Sequence, residues 1–245
     1  MDLSLITKTE DVAVAPFALS EMRAIYTEIL AAQEEVGGTI LYRAKIPSGG
    51  AKSFEIVTGN DDTDTTVQKL VGVVIHSQKC NARFDEDTRG LPPVCASPDG
   101  VIGIEGGVEH VCADCPFNRF GTAKNGTGTG KACKNMIRLY MMVEGSPIPI
   151  VLSLPPTSIE GWRNYRLGVL GPRQLKPYEV VTELSLTVKS NRAGDQYAIV
   201  KPRLIGRLSD ADKANAAFFA SGFQPQVVVD ESDYNAEDKE GAAHE

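Results

Sequence analysis

The sequence predicts a β-rich α+β domain, and three observations predict it. Strand-like stretches with alternating or branched residues recur along the chain, among them TILYRAKI (39–46), SFEIVTG (53–59) and YEVVTELSLTVKS (178–190). They are joined by Gly-, Pro- and Asn-bearing turns, and the βαβ alternation of a doubly wound sheet is absent. Residues 85–135 then interrupt the pattern with a span rich in Gly, Cys, Pro, Asp and Asn that holds few long aliphatics. Non-uniform strands with a few short helices fit a small Greek-key barrel of the OB-fold type, carrying an insertion.

The elements follow in order. ALSEMRAIYTEILAAQEEV (18–36) repeats apolar residues at helical spacing (Met22, Ile25, Tyr26, Ile29, Leu30), and Gly37-Gly38 stops it. Residues 67–84 form a β-rich run long enough for two strands or a bend. The acidic loop GNDDTDTT (59–66) lacks the spacing and closing Glu of an EF-hand. Strand returns at MIRLYMMVEG (136–145) and IPIVLSLP (148–155), followed by a helix over 156–170 with Thr157 or Ser158 as its N-cap. Residues 178–190 and 196–208 pair around NRAGD, and Ser209 caps a final helix over 209–223. One body is therefore expected over 1–225, with the insertion at about 85–135. A tail over 226–245 is too poor in apolar residues to fold alone.

The net charge of −7 sits almost wholly in that tail, where Asp230–Glu245 holds seven acids against Lys239 alone. Without it, 24 bases face 25 acids, so the body is nearly neutral and an anionic partner remains open to it. No run of 18 apolar residues occurs, so no membrane span is expected. The start, MDLSLITKTEDVAVAPF, has no basic-then-apolar leader. A reducing cytoplasm is the expected location, and there an odd set of five cysteines favours metal or spare thiols over disulfides.

Cys95, Cys112, Cys115 and Cys133 supply four soft ligands, and the two-residue gap within CADC lets a tight knuckle aim two sulfurs at one ion. A closed shell of four makes Zn2+ structural, a staple for a span that cannot bury much apolar surface. His110 or Cys80 could replace one ligand. His110 stands only two residues from Cys112, and Cys80 reads as a buried strand thiol. Rival chemistries fail on residues. A redox CxxC leaves Cys95 and Cys133 without a role. NGTGTGKA lacks the first Gly and the final hydroxyl of a phosphate loop. HExxH, G-x-S-x-G and the deaminase pattern are absent. No enzyme is expected. A metal enzyme would have to draw on the carboxylates of DED (85–87) and Asp99.

Between Val111 and Tyr140 the only acid is Asp114, against Arg119, Lys124, Lys131, Lys134 and Arg138, with Phe117 and Phe120 interleaved. A second group is Trp162, Arg163, Tyr165, Arg166 and Arg173. Cations that track phosphates beside rings that stack bases are what a single strand requires. Arg119, Phe120, Lys124, Lys131, Lys134, Arg138, Trp162, Tyr165 and Arg166 are the expected contacts.

CASPDG (95–100), CADCPFNRFGT (112–122), GKACKN (130–135) and PIVLSLPPTS (149–158), in this order, resemble a family of small phage and prophage proteins. In that family a C-x-S-x-D-G element precedes CxxCPxNxxG, GKxCK and a Leu-Pro-Pro-Ser segment. The likeness spans about residues 70–170. It implies that Cys95, Cys112, Cys115 and Cys133 are the family cysteines and that the protein belongs to a phage DNA replication or recombination module, hence to the host cytoplasm. The layout is also similar to zinc-containing single-strand-binding proteins, with an OB-fold, a zinc insertion and an acidic tail. The expectation is a protein that binds single-stranded DNA with little sequence preference. Its tail would dock replication or recombination proteins, and a homo-oligomer is compatible with this. The alternative is an adaptor or inhibitor of a host factor that uses the insertion and the tail.

Overall fold

Each strand's two-residue period sends alternate side chains to opposite faces, and in this protein both faces are covered. The structure, a computed structural model, describes residues 12–36, 41–47, 49–58, 64–84, 93–126, 128–191, 194 and 196–222. The tail over 226–245 lies outside them, as does DED (85–87). In chain order the elements are α1 (Leu19–Val36), β1 (Tyr42–Lys45), β2 (Phe54–Val57), β3 (Thr65–Val67), β4 (Lys69–Arg83), β5 (Cys95–Ser97), β6 (Ile102–Glu105) and β7 (Val108–Val111). Next come α2 (Ala123–Gly126), β8 (Cys133–Val143), β9 (Ile150–Leu154), α3 (Pro156–Asn164), β10 (Val180–Ser190), β11 (Gln196–Arg207) and α4 (Asp210–Gly222). No helix among the described residues is long and apolar enough to cross a membrane.

The strands form one mixed sheet in the order β3-β2-β1-β9-β8-β4-β5-β6-β7, with β10 on β4 and β11 on β10. Every ladder is antiparallel except β1 with β9. The long β4 is the hub. It runs along β8 from Gly72 to Arg83, and its other edge takes β10 at Lys69–Gly72 and β5 at Asn81–Arg83. The expected β-rich α+β class is present, but the sheet is open. The turn between β1 and β2 swings back to the β10–β11 hairpin, where a Cβ on Gly50 would lie 2.8 Å from Val188 Cγ1. That meeting is through side chains. At its far end β11 gives its outer edge to residues 13–15, through Ala15 N–Arg207 O and Arg207 N–Ala13 O bonds of 2.9 Å each.

Two hydrophobic clusters lie on the two faces. Val74, Leu139 and Met141 join Phe54, Ile56, Leu152, Leu184 and Val200 on one, closed by Trp162, Tyr165 and Leu170. Val73, Tyr140 and Met142 join Val151 and Val181 on the other, closed by Leu19, Met22 and Phe219 of α1 and α4. Ser209 caps α4 as expected, its Oγ accepting from Asp212 N at 3.1 Å. Ser158 does not cap α3, which starts on Pro156 with no side-chain cap. Its buried Oγ instead accepts the Val200 N–H at 3.0 Å and ties α3 to β11. The helix expected to run on to 170 widens into a π-helical stretch at Tyr165–Leu170.

Glu183 on β10 is the one buried carboxylate among the described residues. Arg203 holds it bidentately at 3.0 Å for both bonds, and Lys69 Nζ lies at 3.1 Å. Arg203 first, then Lys69, outweigh burial and keep its carboxyl below the usual carboxylate range. A depressed value means stability that is present above the unfolded carboxyl's titration and lost as pH falls through the folded one. Both cations are more than half exposed, so water screens much of the attraction. Glu183→Gln is expected to cost about 1 kcal/mol at pH 7 and progressively less at a pH low enough to protonate the folded carboxyl, as read by urea unfolding. An equal cost at both pH values would show that the ion triad is not the source.

Candidate metal centre and basic insertion

The insertion is built on the end of β4, whose period decides what faces what. Asn81 and Arg83 point to one side, where they line a small cavity with Cys95, His110, Cys112, Cys115, Phe117, Asn118 and Cys133. Cys80 and Ala82 point to the other side and pack with Met136. Cys80 is thereby outside the cavity, and His110, expected to be awkwardly placed, is inside it. His110 is on β7 and Cys112 opens the turn that follows it, and both line the cavity. The cavity, of about 10 Å³, has room for one water-sized occupant.

Cys95 Sγ and His110 Nε2 are 3.4 Å apart. With Glu105 they form the one group of at least three candidate ligands, among the described residues, whose donor atoms all lie within 4.8 Å of one another. Such a group can hold a metal ion. Glu105 is exposed and already bonded to Arg83 Nη2 at 2.5 Å. Gly103 faces His110 in the β6–β7 register, and a Cβ there would stand 2.8 Å from Nε2 and 3.2 Å from Cys95 Sγ. Any other residue would fill the space between the two donors.

The chemistry of the donor set fits a soft cation. Burial first, then Glu105, Cys112 and Cys115, push the Cys95 thiol up to about 11. Burial, then Cys95, Cys112 and Cys115, push Cys133 up to about 12. The neighbouring thiols raise one another as thiolates, and a divalent cation bound among such donors would favour their deprotonated forms. Arg83 and Lys131 add positive charge at the rim.

The motif residues between the cysteines hold the turns in place. Asp99 Oδ1 accepts from Val101 N at 2.7 Å, Ile102 N at 3.0 Å and Ser97 Oγ at 3.0 Å. The Val101 N–H above all keeps its carboxyl below the ordinary range. Gly100 follows with φ +72, a left-handed turn that glycine adopts freely. Asn118 Nδ2 donates to Cys112 O at 2.9 Å and closes the knuckle. Lys131 Nζ donates to Asn118 Oδ1 at 3.2 Å and Asn135 Oδ1 at 2.9 Å, and Asn135 Nδ2 reaches Asn81 Oδ1 at 2.7 Å. Asp99 thus serves as a turn brace.

The expected nucleic-acid contacts divide sharply. Phe120 is 74 % exposed, Arg119 and Arg166 are exposed, and Lys131 and Lys134 are half-buried. Lys131 Nζ stands 5.2 Å from the Phe120 ring centre. The Lys124 side chain lies outside the described residues. Trp162, Tyr165 and Arg138 are corrections, at 2 %, 3 % and 1 % exposure. Trp162 on α3 and Tyr165 at the start of the π-helical stretch sit three residues apart and both face the core, and the Tyr165 hydroxyl bonds Thr182 Oγ1 at 2.8 Å. Arg138 shares a side of β8 with Tyr140 and Met142, which α1 and α4 cover. None of the three offers a surface to a strand.

Sequence reasoning missed Asn81, Arg83, Gly103 and Glu105. Arg83 packs its guanidinium 4.1 Å from the Phe117 ring centre and carries no motif signature, because its role comes from β4 meeting β5. Also unforeseen is a run of exposed apolar residues on and beside β6 and β7: Val101, Ile104, Val108 and Val111.

No family model, curated protein or solved structure matches this chain, so the likeness to phage proteins rests on the quoted motifs.

Proposed function

We propose that this chain is a single-stranded-DNA-binding protein of a phage-type replication or recombination system, with a structural zinc ion held by Cys95, Cys112, Cys115 and Cys133. The observation that carries this is Phe120, a three-quarters-exposed ring on the turn after the knuckle, with Arg119 before it and Lys131 beside it. An exposed phenylalanine on a loop costs solubility and contributes nothing to a core, whereas a base can stack on it. Arg119, Lys134 and Arg166 supply phosphate contacts, and zinc does no chemistry. An OB-like body is part of the reading, supported by the way the β1–β2 turn curls back on β10 and β11. The acidic residues of Asp230–Glu245 compete with DNA for the basic insertion or dock partner proteins.

The test is fluorescence anisotropy of labelled oligo-dT at two salt concentrations, with the full chain, with a chain ending at Pro225, and with Phe120→Ala. The expected result is affinity that falls steeply with salt, tighter binding by the shortened chain, and a loss of about tenfold or more for Phe120→Ala. If the full chain and the shortened one both fail to bind at low salt, the reading is wrong. The second reading, an adaptor that docks a host protein, is favoured by the exposed Val101, Ile104, Val108 and Val111, and it predicts that failure.

A further inference from the structure

Five donors line one cavity, and a tetrahedral ion takes four. Burial decides which sulfur a reagent reaches first, and spacing decides which donor can take its place. Cys95, Cys112 and Cys133 are 7 %, 4 % and 6 % exposed, whereas Cys115 is half-buried. Cys115 stands at the outer end of the knuckle, ahead of the short turn Pro116–Asn118. His110 Nε2 already holds a ligand's position relative to Cys95. A metal–sulfur bond of about 2.3 Å and a metal–nitrogen bond of about 2.0 Å at the tetrahedral angle place the two donor atoms about 3.5 Å apart. The separation here is 3.4 Å. Gly103 is the second observation. Its backbone is not left-handed, so turn geometry does not require glycine, yet a Cβ would collide with Nε2. Space is kept for this imidazole.

We propose that Cys115 is a modification site for soft electrophiles, and that His110 is the reserve ligand that keeps the ion when Cys115 leaves. This rests on the metal reading above. In the resting shell four sulfurs hold the ion. When an electrophile takes the Cys115 sulfur, that metal–sulfur bond breaks and Nε2, with its proton on Nδ1, forms the replacing bond. With a maleimide as the probe, the sulfur adds to one alkene carbon and the other takes a proton from water, so no oxidant or leaving group is needed. The site can thus change its surface at the knuckle, next to Phe117 and Phe120, without losing its staple.

The experiment measures zinc per chain and the zinc absorption-edge fine structure of wild type, C115S, H110A, the C115S/H110A double variant and C112S. Wild type, C115S and H110A are expected to keep close to one zinc each, and the double variant and C112S none. The wild-type edge should fit four sulfurs at about 2.3 Å, and C115S three sulfurs with one nitrogen at about 2.0 Å. A maleimide arm needs no variant to fold: one addition to wild type, mapped to Cys115 by mass, should leave zinc bound, and the same addition to H110A should release it. A zinc-loaded wild type with a zinc-free C115S overturns the inference and leaves the metal reading intact. So does H110A that keeps its zinc after the addition. A wild type with no zinc overturns both.

Discussion

Stripping the proposed metal ion with a chelator is expected to unfold the insertion and leave the two hydrophobic cores standing. The insertion has almost nothing else to hold it. Between residues 93 and 132 the buried side chains among those described are Cys95, Ser97, Cys112 and Ala123, none of them a large aliphatic or aromatic group. The β5–β6–β7 hairpins are short and their outer residues are exposed. A structural zinc contributes on the order of 10–16 kcal/mol in small zinc-stapled peptides, far above what these turns supply. The clusters around Leu139 and around Tyr140 share no side chain with the cavity, so β8–β4–β10 pairing should persist. Hydrogen exchange is the measurement. Chelation should expose the amides of Cys112, Gly121, Thr122 and Ala123, which are bonded to Val101 O and Gly130 O, and spare those of β8 and β10. Uniform loss of protection would mean that the ion supports the whole fold, and unchanged protection that it supports neither part.

Gly72→Ala is expected to be the most damaging single methyl that can be added to the body. At Gly72 β4 is paired on both edges, to Val143 on β8 and Thr182 on β10. A Cβ there would lie 2.1 Å from Met142 O and 3.0 Å from Met142 C, and both are backbone atoms that cannot rotate away. Either strand must move, and the cost should be about 3 kcal/mol, or a fall in Tm of about 6–12 °C for a chain of this size. Gly168→Ala is the control. It is an exposed residue of the π-helical stretch with nothing within 4 Å of the added carbon, and its Tm should hardly change. Similar Tm values for the two variants would mean that the close approach at Gly72 relaxes freely.

Much of the architecture could be read from the amino acids in order. Alternation and turn residues placed β1, β2, β4 and β8 to β11, since the two-residue period and glycine-rich turns are local properties, but not β3 in the acidic loop or the short β5, β6 and β7 of the insertion. The cap at Ser209 was legible for the same reason. Ser158 was not, because a serine at a helix start has two uses. It caps only if no strand offers a nearer N–H, and Val200 N does. Closure of the sheet was also beyond local reading. It depends on which edges meet, and the edge of β11 at Arg207 is met by residues 13–15, distant in sequence.

At the candidate site the division is sharper. The sequence by itself determined that soft donors gather in one span, that the stretch after Val111 is basic and nearly acid-free, and that the tail carries the negative charge, because these depend on residue type and spacing alone; that Glu105 and His110 stand beside Cys95 came only from the fold. Only the tertiary structure decided which donors and cations can act. Cys80 and Arg83 are three residues apart on one strand, yet the pleat turns one into a packed cluster and the other toward the cavity. Trp162, Tyr165 and Arg138 have the composition of a nucleic-acid surface and lie under the helices and sheet that bury them, while Phe120 stays outside. Burial is a property of what packs from elsewhere in the chain, so no window of sequence around these residues contains it.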